Sequence, residues 1–270
     1  MTLAATYLSG MMAIVRRDLA LFLSYRLRLI STAFTAVFGL VLFYYVSRLV
    51  SVGEFETADQ YFAFVVIGMV ALNVVTSTLQ TGPSAVRQEL VAGTFERMLV
   101  SPFGATAGVV SMMTFPFLYG IALSLLTLGV ADVFFGMAVT WSDAPLALPA
   151  AILGAASFVP LGVLVAAAVI AIKQAESMTS FVIAGMSIVA GLYFPVALLP
   201  DWLEWTSEVQ PLTPSVDLLR HYLIGMPYDG STALAFLKLA GFAVVLAPIS
   251  AAVLAGAIKL GRRRGTVTEY

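Results

Sequence analysis

Hydrophobic positions in this sequence gather into six long stretches, Leu29–Leu49, Tyr61–Thr81, Ala107–Val130, Leu146–Ile172, Met178–Leu199 and Leu234–Leu260. A helix needs about twenty apolar residues to cross a bilayer core, and each stretch meets or approaches that length. The pattern predicts an all-α integral membrane protein with six transmembrane helices over residues 29–260. Ahead of the first stretch, Met11, Val15, Leu19 and Phe22 fall along one helical face, with Arg17, Ser24 and Arg28 opposite. Residues 1–28 therefore read as a helix lying in the headgroup plane. Arg26 departs from that pattern, and the alternative is a longer, tilted first span.

Composition supports lipid as the solvent. Hydrophobic residues make up 60% and charged residues 11% of the chain, against about 45–50% and about 25% in soluble domains. The net charge of -1 provides no overall basic field for nucleic acid. The absence of cysteine excludes disulfides, thiolate metal sites and cysteine nucleophiles, and the single histidine, His221, offers no metal cluster. Arg16-Arg17 follows the apolar run Met11–Val15, the reverse of signal-peptide order, so the N-terminus is expected to be retained. With no internal repeat, low-complexity tract or linker, residues 1–270 read as one transmembrane domain.

Six crossings place both termini on one side. Eleven of the fourteen basic residues fall there: Arg16, Arg17, Arg26, Arg28, Arg87, Arg97, Lys173, Lys259 and Arg262 to Arg264. Only Arg48, Arg220 and Lys238 fall opposite. The positive-inside rule makes the richer face cytoplasmic, including the tail 261–270, and predicts a multi-pass protein of the cell (inner) membrane. Glu54, Glu56, Asp59, Asp143, Asp201, Glu204, Glu208, Asp217 and Asp229 lie on the outer face.

Two connecting segments carry functional information. Between spans two and three, Pro83 and Pro102 bracket a segment interrupted by Gly93, and Thr94 is placed to cap a helix starting at Phe95. It predicts two short helices along the cytoplasmic surface. After span five come Tyr193-Phe194-Pro195, Leu199-Pro200-Asp201-Trp202-Leu203-Glu204-Trp205, Pro211-Leu212-Thr213-Pro214 and Asp217 to Arg220. That segment is too apolar for a solvated loop and is expected to dip back into the outer leaflet.

Glu89, Gly93-Thr94, Glu96, Leu99 and Ser101-Pro102 resemble the signature of the ABC-2 family of transporter permeases. The Phe-Pro, Leu-Pro-x-Trp and Pro-Leu motifs and the late arginine after span five resemble it too. The resemblance implies cytoplasmic coupling helices that dock on a separate ATPase subunit, with Arg87, Glu89, Glu96 and Arg97 as polar contacts and Phe95, Met98 and Leu99 as apolar ones. It implies external re-entrant helices that include Pro195, Trp202, Trp205, Pro211 and Arg220. It further implies two permease copies, as a homodimer or with a related partner, on two ATPase subunits that bind ATP and magnesium. This chain would bind no cofactor, since it has no phosphate-loop motif of its own.

The implied activity is export of a hydrophobic or amphiphilic cargo, a drug, antibiotic or lipid-like molecule. The alternative cargo is a lipid-linked polysaccharide or teichoic-acid-type polymer. Ion-coupled transport is disfavoured because the spans are nearly free of ionisable residues: Asp132 and Lys238 sit near outer ends, from which they can snorkel. A membrane enzyme is disfavoured because acids and histidines do not cluster. Phe34, Phe38, Tyr193 and Phe194 are candidates for lining the translocation path, while Phe43, Tyr44 and Tyr45 read first as an interfacial belt. Pro116, Pro160, Pro195 and Pro248 are potential kinks. The pairs Lys173 with Glu176 and Asp217 with Arg220 read as solvated i,i+3 pairs, and His221 as a surface residue.

Because the chain has no cysteine, introduced cysteines test this topology directly. Glu56→Cys and Glu204→Cys should react with a membrane-impermeant maleimide applied to the outer face, and Glu96→Cys only after permeabilisation. Equal labelling of all three on intact membranes would overturn the six-span arrangement.

Overall fold

The computed structural model describes residues 3–49, 55–101, 103–172, 175–228 and 230–264, and contains helices and turns with no strand among them. Lys173, Pro102, Glu54, Asp229 and the end of the tail lie outside the described residues, as do the side chains of Arg28 and Glu176. The predicted pair of Lys173 with Glu176 is therefore outside them as well.

Five helical stretches are long and apolar enough to cross a membrane: Ile30–Leu49, Ala58–Val91, Ala105–Phe135, Ala144–Ile172 and Thr232–Arg263. In order, the elements are α1 (Leu3–Ser24), α2 (Arg26–Leu49), α3 (Ala58–Thr76) and α4 (Gly82–Val91), then α5 (Phe95–Val100), α6 (Ala105–Met112) and α7 (Thr114–Phe135). After these come α8 (Ala144–Ile172), α9 (Ala175–Val189), α10 (Asp201–Glu208), α11 (Leu212–Ile224) and α12 (Thr232–Arg264).

Two expected boundaries move. The predicted fifth span, Met178–Leu199, is represented by α9, which stops at Val189 after 15 residues. At 1.5 Å per residue that is roughly 22 Å, short of the ~30 Å hydrocarbon core. Gly191 takes φ +67 and ends the helix, and the chain turns through Val196–Leu198 into α10 and α11. The second change is at Pro83, which does not separate span two from the following segment. A π turn at Ser77–Thr81 joins α3 to α4, so that Ala58–Val91 is one helical stretch of 34 residues. The Gly82 N–H donates to the Ser77 carbonyl, five residues back, and Pro83 follows within the first turn of α4. The wider turn accommodates a residue that has no N–H to give and whose ring would crowd a regular helix.

Small residues let the helices meet. Gly120, Ser124 and Thr127 form one face of α7: a Cβ at Gly120 would lie 2.9 Å from the Val74 Cα, the Ser124 hydroxyl donates to the Val70 carbonyl at 2.6 Å, and Asn73 donates to Thr127 at 3.0 Å. Such faces bind helices together where lipid removes any hydrophobic drive to associate. On α8, Gly154 meets Ser215 of α11 and Gly162 meets the Thr78 carbonyl in the π turn. Further along α8, Val163, Ala166 and Ile170 pack with Leu254 and Ile258 of α12. Outward faces of α2 and α12 carry exposed Phe34, Phe38, Val244 and Val245, as a lipid or subunit contact requires.

α1 packs along α6 and the start of α7 through Tyr7 on Phe103 and Phe22 on Phe115 and Tyr119. Of the residues read along its apolar face, Met11, Val15 and Phe22 are half-buried, whereas Leu19 is exposed and Asp18 is half-buried in its place. Of the four prolines expected to kink spans, Pro160 and Pro248 lie inside α8 and α12. Pro116 instead stands in the first turn of α7, where a missing N–H is tolerated, and Pro195 precedes the turn into α10.

Gly68 is the tightest of these contacts against fixed backbone, since a Cβ there would lie 2.5 Å from the Leu192 carbonyl oxygen. Gly68→Ala should lower stability in detergent by about 1–3 kcal/mol, read as a drop in Tm. Gly129→Ala, with nothing within 4 Å, is the matched control and should leave Tm unchanged or raise it.

Candidate functional site

The end of α4 is shaped by hydrogen bonds rather than by the predicted cap. Gly93 takes φ +68, the Thr94 N–H donates to the Glu89 carbonyl at 3.0 Å and the Gly93 N–H to the Leu90 carbonyl at 3.1 Å. This is the Schellman closure, which favours glycine at the left-handed position and satisfies two helix-end carbonyls. Thr94 occupies the N-cap position of α5, but its hydroxyl makes no cap bond there. It donates instead to the Glu89 carboxylate. A third group completes the cluster: the Arg17 guanidinium of α1 reaches Glu89 at 2.6 Å and Asp18 at 2.9 Å. Arg17 had been expected to face headgroups, and no sequence pattern linked it to Glu89, 72 positions away.

These contacts divide the segment into buried and exposed residues. Glu89 is half-buried, its carboxylate engaged by Arg17 and Thr94 beside the turn. Phe95 is fully buried and joins Val86, Leu90, Val109 and Met112 in the core beneath the turn. Met98 and Leu99 pack partly against the same core. The exposed surface consists of Arg87, Gln88, Val91, Ala92, Gly93, Glu96, Arg97 and Val100. Val91 and Val100, 61% and 86% exposed, are apolar side chains on that surface that the sequence pattern missed. Their signal was position alone, as the last residues of two short helices.

At the opposite end of α3 the arginine expected to be solvated is buried. Arg220, 4% exposed, donates to the carbonyls of Gly191 at 2.8 Å, Leu192 at 3.2 Å and Phe64 at 3.2 Å, and lies over the Phe64 ring. Its contact with Asp217 is longer, 3.7 Å. Burial pushes the Asp217 carboxyl up to about 6, against the pull of the guanidinium. His221 is half-buried, with Nδ1 2.9 Å from the Met226 carbonyl oxygen. Trp202 and Trp205 on α10 are exposed, and Pro211 is buried ahead of α11.

The expected path aromatics fall into two separate groups. Phe34 and Phe38 stack on the exposed face of α2, whereas Tyr193 stacks on Phe43 and its carbonyl accepts from the Tyr61 hydroxyl. Phe194 is half-buried beside them. Phe43 and Tyr44 pack inward, Tyr44 on Phe62 and Phe135, so of the three belt residues only Tyr45 is exposed.

A family model for the ABC-2 type transporter matches residues 10–224, a range that takes in both the α4–α5 turn and Arg220. No curated protein matches the chain.

The pairing of Arg17 with Glu89 can be tested by exchange. Arg17→Glu or Glu89→Arg alone should lower Tm modestly, and the double exchange should recover a coupling of about 0.5–1 kcal/mol, the range of a partly exposed pair. Equal melting of the single and double variants would show that α1 is not tied to the turn through this contact.

Proposed function

The chain belongs to the ABC-2 type transporter family, and we propose that this multi-pass permease component works as an exporter of a hydrophobic or amphiphilic molecule, driven by a separate ATPase subunit. Members of the family normally work with such a subunit, and these 270 residues carry no phosphate-loop motif. The observation that carries the reading is the α4–α5 turn: a rigid, hydrogen-bonded tip on a helical stretch of 34 residues. That stretch is roughly 51 Å long at 1.5 Å per residue. A push on the tip would travel along α3 and α4 to the Arg220 end, because both ends are tied to other elements by side-chain bonds.

In this reading Arg87, Glu96, Arg97, Val91 and Val100 meet the ATPase, while Glu89, Thr94 and Arg17 hold the tip in shape. Both termini are cytoplasmic, the membrane is the cell's inner membrane, and two permease copies stand on two ATPase subunits. The exposed faces of α2 and α9, with Phe34, Phe38, Met178 and Phe181, are apolar enough to meet a second copy or the cargo. The sparse charge of the spans favours an amphiphile over an ion.

The test is purification from native membranes in mild detergent. A phosphate-loop ATPase should co-purify with the wild type, and Val100→Asp with Glu96→Arg should reduce its recovery at least several-fold while leaving the permease's own Tm unchanged. Recovery of no ATPase under several mild conditions would overturn the proposal.

A further inference from the structure

Beside the buried arginine is an open recess of about 440 Å³, lined by α11, the end of α10, the start of α12, the segment before it and Phe64 of α3. Among the described residues its lining carries four charged side chains, Glu208, Asp217, Arg220 and Lys238. These balance in sign, two acids against two bases. Arg220 is committed to three backbone carbonyls. Asp217 is not comparably satisfied: its contact with Arg220 is 3.7 Å, too long for a hydrogen bond, and among the described residues no donor reaches its carboxylate. Lys238, exposed on the second turn of α12, has no carboxylate within ion-pair distance among the described residues.

A recess that offers one half-buried carboxylate and one exposed ammonium is complementary to a ligand carrying both signs. A pure anion would face Asp217 and Glu208, and a pure cation would face Lys238 and Arg220. The apolar wall adds a second constraint. Leu234 stands in the lining and is exposed, and Leu237, three residues further along α12, is exposed as well. An apolar tail leaving the recess would run along α12. Tyr228 and Ser231 supply hydroxyls in the lining, as headgroup recognition requires.

We propose that this recess binds the zwitterionic headgroup of a lipid-like amphiphile, with Asp217 taking its ammonium and Lys238 its anionic group. The site is independent of which cargo the permease carries. It lies at the end of the molecule opposite the α4–α5 turn, and failure of one proposal leaves the other standing.

The full chain, purified in an uncharged detergent, would be titrated calorimetrically with dihexanoyl-phosphatidylethanolamine, dihexanoyl-phosphatidylglycerol and free phosphoethanolamine. The zwitterionic lipid should bind saturably and more tightly than the anionic one. Lys238→Gln should weaken both lipids, and Asp217→Asn should weaken the ethanolamine lipid about tenfold while sparing the glycerol lipid, as expected for loss of one charge-assisted hydrogen bond. Free phosphoethanolamine binding as tightly as the lipid would support the headgroup chemistry and overturn the lipid as its source. Equal binding of the two lipids to wild type, or ethanolamine-lipid binding unchanged by Lys238→Gln, would overturn the proposal. Lys238 is exposed, so its variant decides even if Asp217→Asn fails to fold.

Discussion

Backbone that leaves the helix inside or beside a bilayer exposes carbonyls that lipid cannot satisfy, and each must find a donor within the protein. In this chain α9 ends early, and the carbonyls of Gly191 and Leu192 point at Arg220. The same guanidinium bonds to Phe64 on α3 and lies over its ring. Three elements that are distant in sequence therefore depend on one side chain. Arginine suits the task because its planar fork offers several donors in fixed directions and stays charged when buried. Close approach of the turn to α3 needs Gly68 as well, since any side chain there would strike the Leu192 carbonyl. The end of α9, the placement of α10 and α11, and the recess beside them all follow from this junction.

The opposite end is built on the same logic with different groups. α4 runs on from α3 through a π turn, so the stretch ending at Val91 behaves as one continuous element. Its last carbonyls are closed by Gly93 and Thr94, and its last acid by Arg17 from α1. Phe95 then anchors the following helix in the core formed by α4, α6, α8 and α12. A turn fixed by backbone bonds, an ion pair and a buried ring transmits force better than a solvated loop would. Under the proposed coupling role, that stiffness is the mechanical property the α4–α5 tip would need.

Much of this was legible in the sequence. Long apolar stretches are a one-dimensional signal, because a bilayer demands a length of apolar helix and little else. Gly93 and Thr94 mark a chain reversal by local chemistry alone, and the glycine does take the left-handed conformation. The fate of Glu89, Phe95 and Arg220 was not legible. Each is exposed or charged by type or by neighbourhood, and each is turned inward by a partner far along the chain: Arg17, the core of α6 and α8, and the carbonyls of α3 and α9. Pro83 misled for a related reason, since a proline predicts a break only when the helix around it stays regular.

The sequence by itself determined that the chain is helical, that lipid is its solvent, and where most of its spans lie. Those properties follow from the free energy of transferring contiguous apolar residues, which needs no knowledge of neighbours. Tertiary structure decided where α9 stops, which acid is paired and which arginine is buried. These depend on donors and acceptors meeting across dozens of residues, and hydrogen bonding in a medium without water is settled only when those partners are brought together.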